Sequence, residues 1–119
     1  MLSFGILSLL ISQAEAVSID AVPAGGLIIT EIMSDPNQVV DYLGEYIEIY
    51  NAHSAEIDIN GLIVNSSGEA GFTVNTSITI PVGGYAVLAT NASSSANGGN
   101  TEVDFSYSYG TLKLNNYET

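Results

Sequence analysis

The chain has 119 residues, of which 46% are apolar, with thirteen carboxylates against one lysine, Lys113, no arginine and no cysteine, for a formal net charge of -12. That length holds one domain, and the apolar content is too high for a disordered acidic chain. The charge repels phosphate backbones and anionic membrane surfaces, so direct nucleic-acid binding is not expected, while cations, basic proteins and neutral glycans stay open as partners; without cysteine there is neither a disulfide nor a thiolate metal site.

Residues 1–16 read as a secretory signal peptide. Leu2 to Ile11 form the apolar run, and Ala14-Glu15-Ala16 supplies the small-x-small pattern for cleavage after Ala16. No Lys or Arg precedes the apolar run, a departure that points to a late start codon or a truncated gene. A membrane span needs roughly 20 apolar residues, so none is expected here. Residues 17–26, with Pro23 and Gly25-Gly26, make a linker.

The domain itself, residues 27–119, is a series of short strands. Leu27–Met33 comes first, with Ile28, Thr30 and Ile32 on one face and Leu27, Ile29, Glu31 and Met33 on the other. Ser34-Asp35-Pro36-Asn37 ends it, since Pro36 has no N–H for a ladder, and Gln38–Gly44 is expected to be a surface loop. The second strand, Glu45–Asn51, alternates with Ile47 and Ile49 toward the core and Tyr46, Glu48 and Tyr50 away from it. Glu56–Asn60 follows with Ile57 and Ile59 inward, then the tight-turn pair Asn60-Gly61, and then Leu62–Val64 and Phe72–Val74.

Ile78–Ile80, closed by Pro81, reads as an edge strand. After Gly83-Gly84, Tyr85–Thr90 is the most continuously apolar strand, which implies burial on both faces. The Asn/Ser/Gly run from Asn91 to Thr101 has nothing to bury and reads as a mobile loop. Phe105, Tyr107 and Tyr109 alternate with serines, and Leu112 and Leu114 flank Lys113 in a last short strand. The class expected is all-β, an antiparallel β-sandwich.

These residues resemble the lamin-tail domain family, in the form found in exported bacterial proteins. Leu27–Met33 looks like its opening strand. Glu45-Tyr46-Ile47-Glu48-Ile49-Tyr50-Asn51 is similar to its Glu-Tyr-Ile/Val-Glu-Ile/Leu-Tyr-Asn segment. Ile57-Asp58-Ile59-Asn60-Gly61-Leu62 resembles its Asp- and Gly-bearing turn, and Pro81 to Ala89 its Pro-x-Gly-Gly-Tyr strand. Leu62 stands where the bacterial forms usually carry tryptophan. The resemblance implies an immunoglobulin-like β-sandwich and final strands that would begin just after Thr119, so the domain is expected to be incomplete at its C-terminus. It also implies a non-catalytic binding or adhesion accessory module, secreted or at the cell surface and fused to further domains. The alternatives are a targeting domain of a larger secreted nuclease, phosphatase or other hydrolase, and a calcium-stabilised surface structural domain.

Candidate sites are few. Glu31, Asp35, Asp41, Glu45 and Glu48 supply hard oxygens of the kind Ca²⁺ takes, with Asp35, Asp41 and Glu45 the first choices as ligands, although the spacing is not that of an EF-hand and a solvated acidic rim is the stronger reading. His53 is the only imidazole and has no second nitrogen or sulfur ligand for zinc. No Gly-x-Ser-x-Gly elbow or other catalytic motif occurs, so the chain is read as a non-enzyme without catalytic residues or a bound cofactor. Tyr46, Tyr50, Tyr107 and Tyr109 suit stacking on a glycan or contact with a protein, or else fill the core.

Overall fold

The computed structural model describes residues 15–114, in which strands dominate. In chain order they are β1 (Val17–Ser18), β2 (Leu27–Met33), β3 (Tyr46–Asn51), β4 (Ile57–Asp58), β5 (Ile63–Val64), β6 (Phe72–Thr73), β7 (Thr79–Ile80), β8 (Tyr85–Ala89) and β9 (Phe105–Ser106). One helical turn, α1 (Asp41–Gly44), lies between β2 and β3. The apolar run expected to be a signal peptide lies outside the described residues.

Alternation decides the larger sheet, ordered β2-β3-β8-β9. In β3 it is unbroken: Ile47, Ile49 and Asn51 are buried, and the residues between them are half-buried. β8 runs antiparallel to β3, with Ile47 opposite Leu88 and Ile49 opposite Ala86. Ala86 to Ala89 are all buried, as the continuous apolar run implies, and only Tyr85, 56% exposed, escapes.

The other layer joins β1-β4-β7 with the separate β5-β6 pair. Ile57, Ile59, Val74 and Ile80 pack there against Ile47, Ile49, Ala86 and Leu88, with Tyr107 and Leu112 closing the core. Each aliphatic side chain so buried contributes about 1.5–3 kcal/mol. β7 is an edge strand, as Pro81 dictates. Two pairings, β1 with β4 and β8 with β9, are parallel, so the sandwich is not purely antiparallel.

Asn51 fastens the two layers at one end. Its side chain is fully buried; Nδ2 donates to the carbonyls of Ala55 and Ile80, both at 2.9 Å, and Oδ1 accepts the His53 N–H at 2.8 Å. The Asn60-Gly61 turn serves a different joint. Leu62 N–H bonds Ile59 O at 2.9 Å with Gly61 at φ 90° and no positive φ at Asn60, which makes a type II turn. It passes the chain from β4 into the β5-β6 pair instead of folding β4 back on itself.

The expected faces of β2 hold only for its first half. A bulge falls between Ile29 and Glu31, so Ile29 lies opposite Ile49, whereas Glu31 lies opposite Glu48 and Ile32 opposite Ile47. One extra residue, Thr30, inverts the alternation: Ile32 joins Leu27 and Ile29 on the inner side, while Glu31 and Met33 join Ile28 on the outer side. Gln38–Gly44 is not merely a surface loop, because it contains α1 and ends in buried Gly44. A Cβ on Gly44 would run into Pro36 and Val39. Leu112–Leu114 forms no strand, although Leu112 is core.

Candidate functional site

The outer face of the larger sheet is built in cross-strand rows. Register places Glu31, Glu48 and Val87 in one row, Met33, Tyr46 and Ala89 in the next, and Ile28, Tyr50 and Tyr85 in a third. Over the first two rows lies an open groove of about 510 Å³, lined also by residues 36–39, by Asn97 to Asn100 and by Glu102.

Its floor is tied together by hydrogen bonds. The Tyr46 hydroxyl donates to Glu31 Oε1 at 2.7 Å, and Thr30 Oγ1 donates to Glu48 Oε1 at 2.8 Å. The bond to Glu31, with burial and the charges of Glu31 and Glu48 behind it, pushes the Tyr46 phenol up to about 12, so Tyr46 remains a neutral donor at any physiological pH. Among the described residues no cation stands against Glu31 or Glu48, and Lys113, the only lysine, lies 5.4 Å over the Tyr109 ring.

The Asn97–Asn100 part of the lining is more ordered than its composition suggests, and the reading of Asn91–Thr101 as a mobile run that buries nothing is corrected. Asn97 is 7% exposed; Nδ2 donates to the carbonyls of Asn91 and Asn100, both at 2.9 Å, and Oδ1 accepts the Asn100 N–H at 2.8 Å. One buried amide thus does for this loop what a short ladder does for a strand. The signal for it was the sequence Asn97-Gly98-Gly99, whose glycines adopt φ of 88° and 94° and let the chain turn around the amide.

The four tyrosines singled out from sequence separate. Tyr46 lines the groove, and Tyr50 stands one row away with its ring 4.9 Å from that of Tyr85. Tyr107 does not belong to a binding face: it is 5% exposed and stacked on Phe72 at 4.3 Å, so it fills the core. Tyr109 packs edge-on to Tyr42 at 6.3 Å, away from the groove.

Asp35, Asp41 and Glu45 are not brought together: among the described residues no three of His, Cys, Asp and Glu form a group able to hold a metal. Asp35 is exposed and Asp41 opens α1. Glu45 turns inward, 1% exposed, with Oε2 accepting the Leu114 N–H at 3.1 Å. Its other oxygen and the Tyr107 hydroxyl are buried without a hydrogen-bond partner among the described residues. Burial, aided by the charges of Asp41 and Glu69 and opposed by the Leu114 bond, raises the Glu45 carboxyl to about 7. Burial and the Glu45 charge in turn push the Tyr107 phenol up. His53 is half-buried, its backbone N–H held by Asn51.

Two facing β-layers, with an open groove on the outer face of the larger sheet, define an immunoglobulin-like β-sandwich. The sequence matches the Lamin Tail Domain family over residues 21–117, and the chain belongs to that family, whose members serve as binding and structural modules. Comparison with curated proteins and with solved structures gave no match. No helix among the described residues is long and apolar enough to cross a membrane.

Proposed function

We propose that this lamin-tail domain is a non-catalytic binding and adhesion module that works outside the cell and takes a neutral glycan in the groove over Tyr46. The observation that carries the reading is the chemistry of the lining: a tyrosine ring, the carboxylates of Glu31, Glu48 and Glu102, and the amide-bearing Asn37, Gln38 and Asn100, with no cation among them. Carboxylates accept, and side-chain amides both accept and donate, which suits the vicinal hydroxyls of a sugar, while an aromatic ring supplies an apolar face with a polar tip. Open grooves with a few convergent polar groups are ordinary ligand sites. Export is supported by the pattern of residues 1–16. Within a longer protein the same groove would hold an attached hydrolase near its substrate.

The test is a glycan array followed by titration of the best ligand. Tyr46→Ala and Glu48→Gln should each weaken binding by roughly tenfold or more, as central contacts do, while Tyr109→Ala leaves it unchanged. Undiminished binding by Tyr46→Ala protein that melts like the parent would exclude the groove.

A further inference from the structure

β2 is a margin of the larger sheet. It pairs with β3 on one side, and among the described residues no strand pairs with it on the other. An edge of this kind presents a row of backbone N–H and C=O groups ready to accept another strand.

The two faces beside that edge differ in chemistry. On the inner side, between β2 and β5, runs an apolar groove of about 240 Å³ lined by Leu27, Ile29, Ile49, Leu62 and Ile63. Ile29 is 56% and Ile63 67% exposed, and Ile32, on the same side of β2, is also open to solvent. On the outer side stands Glu31, beside Glu48, both carboxylates bonded, among the described residues, only to neutral hydroxyls. Side chains of a strand alternate between faces. A strand laid along β2 therefore sends every second residue into the apolar groove and the residues between toward Glu31.

We infer that β2 accepts an extended strand of alternating apolar and basic residues from a partner protein. The charge balance selects that occupant. A second copy of this chain would set one Glu31 against another and bring together two molecules of net charge -12. The bulge at Thr30 and the carboxylate of Glu31 are devices that discourage indiscriminate edge pairing, and a lysine or arginine on the incoming strand turns the second of them into an attraction. This inference goes beyond the glycan reading: Glu31 also lines the groove over Tyr46, but Ile29 and Ile63 lie outside it, so Ile63→Glu protein that loses the peptide and keeps the glycan separates the two.

The experiment is fluorescence anisotropy with labelled, end-blocked peptides of seven residues, the length of β2. An alternating valine–lysine peptide should bind, with affinity falling as salt rises. Its alternating valine–glutamate counterpart and a valine–lysine peptide N-methylated along one edge should not. Ile63→Glu, at an exposed position that folding tolerates, should weaken binding by roughly tenfold, the effect of a charge set in an apolar contact worth about 1.4 kcal/mol. Glu31→Lys should reverse the preference between the two charged peptides. Equal binding of both peptides, unchanged binding by Ile63→Glu, no binding at about millimolar peptide, or self-association of the protein that Ile29→Glu abolishes would each overturn the proposal.

Discussion

Replacing Asn51 with alanine removes three hydrogen bonds from a fully buried position: two to the carbonyls of Ala55 and Ile80 and one from the His53 N–H. Each such bond is worth about 1 kcal/mol net, and a buried group left unpaired costs about 1–3 kcal/mol more. Ile80 O is the partner most deeply enclosed, since Ile80 itself is 1% exposed. We therefore expect a loss of about 3–5 kcal/mol, a large share of the roughly 5–15 kcal/mol that holds a domain of this size together. Urea unfolding followed by circular dichroism measures it as a lowered midpoint at constant slope. Asn51→Asp should be at least as damaging, because it keeps the acceptor for His53 but turns a carboxylate toward two carbonyl oxygens. Asn75→Ala, on the surface, should stay within about 0.5 kcal/mol. A loss below about 1 kcal/mol for Asn51→Ala would refute the idea that this amide fastens the layers.

Glu45 gives a pH signature. Its folded value of about 7 lies above the ordinary 4.5, so the native state holds the proton more tightly than the unfolded chain does. Stability is then full below about 4.5 and declines as pH rises to about 7, by on the order of 3 kcal/mol. Melting temperatures across that range check it, and Glu45→Gln should flatten the decline. Asp58, held below the usual carboxylate range by the Ser77 hydroxyl and the Asn60 and Ile78 N–H groups, acts in the opposite sense, its contribution fading as pH falls through that lowered value; Asp58→Asn should blunt the acid limb of the same profile. Gly71→Ala should cost about 2–4 kcal/mol in urea unfolding, because Gly71 has φ 77° and a Cβ there would strike the Val64 carbonyl and the Asn65 side chain. With Glu45 enclosed, melting curves in Ca²⁺ and in EDTA should superimpose; a clear divergence would restore calcium as a stabiliser.

Much of the sandwich was legible because alternation is a local signal. Ile47, Ile49, Ile57, Ile59 and the run Ala86–Ala89 are buried as their spacing demands. Glu45 and Asn51 sit two residues to either side of those isoleucines and share their inward direction, but a carboxylate and an amide do not advertise burial, so the sequence reading offered Glu45 as a calcium ligand instead. What spacing could not show was the bulge at Thr30, since an inserted residue leaves the composition of β2 unchanged while reversing its faces. Nor could it show the order in the Asn91–Thr101 loop, where one amide makes bonds to residues three and six positions away. The groove was half legible: Tyr46 was singled out, whereas its walls come from loops far apart in sequence. Sequence leaves Tyr107 open between core and binding face, because a tyrosine two residues from a phenylalanine in a serine-rich segment reads alike whether it packs inward or stands in water; the structure puts it in the core.

Whether this lamin-tail sandwich offers the outer face of its larger sheet to a ligand is tested most directly by nitrogen-15 NMR spectra recorded during titration with the best glycan from the array. The amides of Tyr46, Glu48, Val87 and Asn100 should shift together along one binding curve, with those of Ile57 and Val74 unmoved. Shifts centred on Tyr109 and Tyr42, with the groove silent, would contradict it.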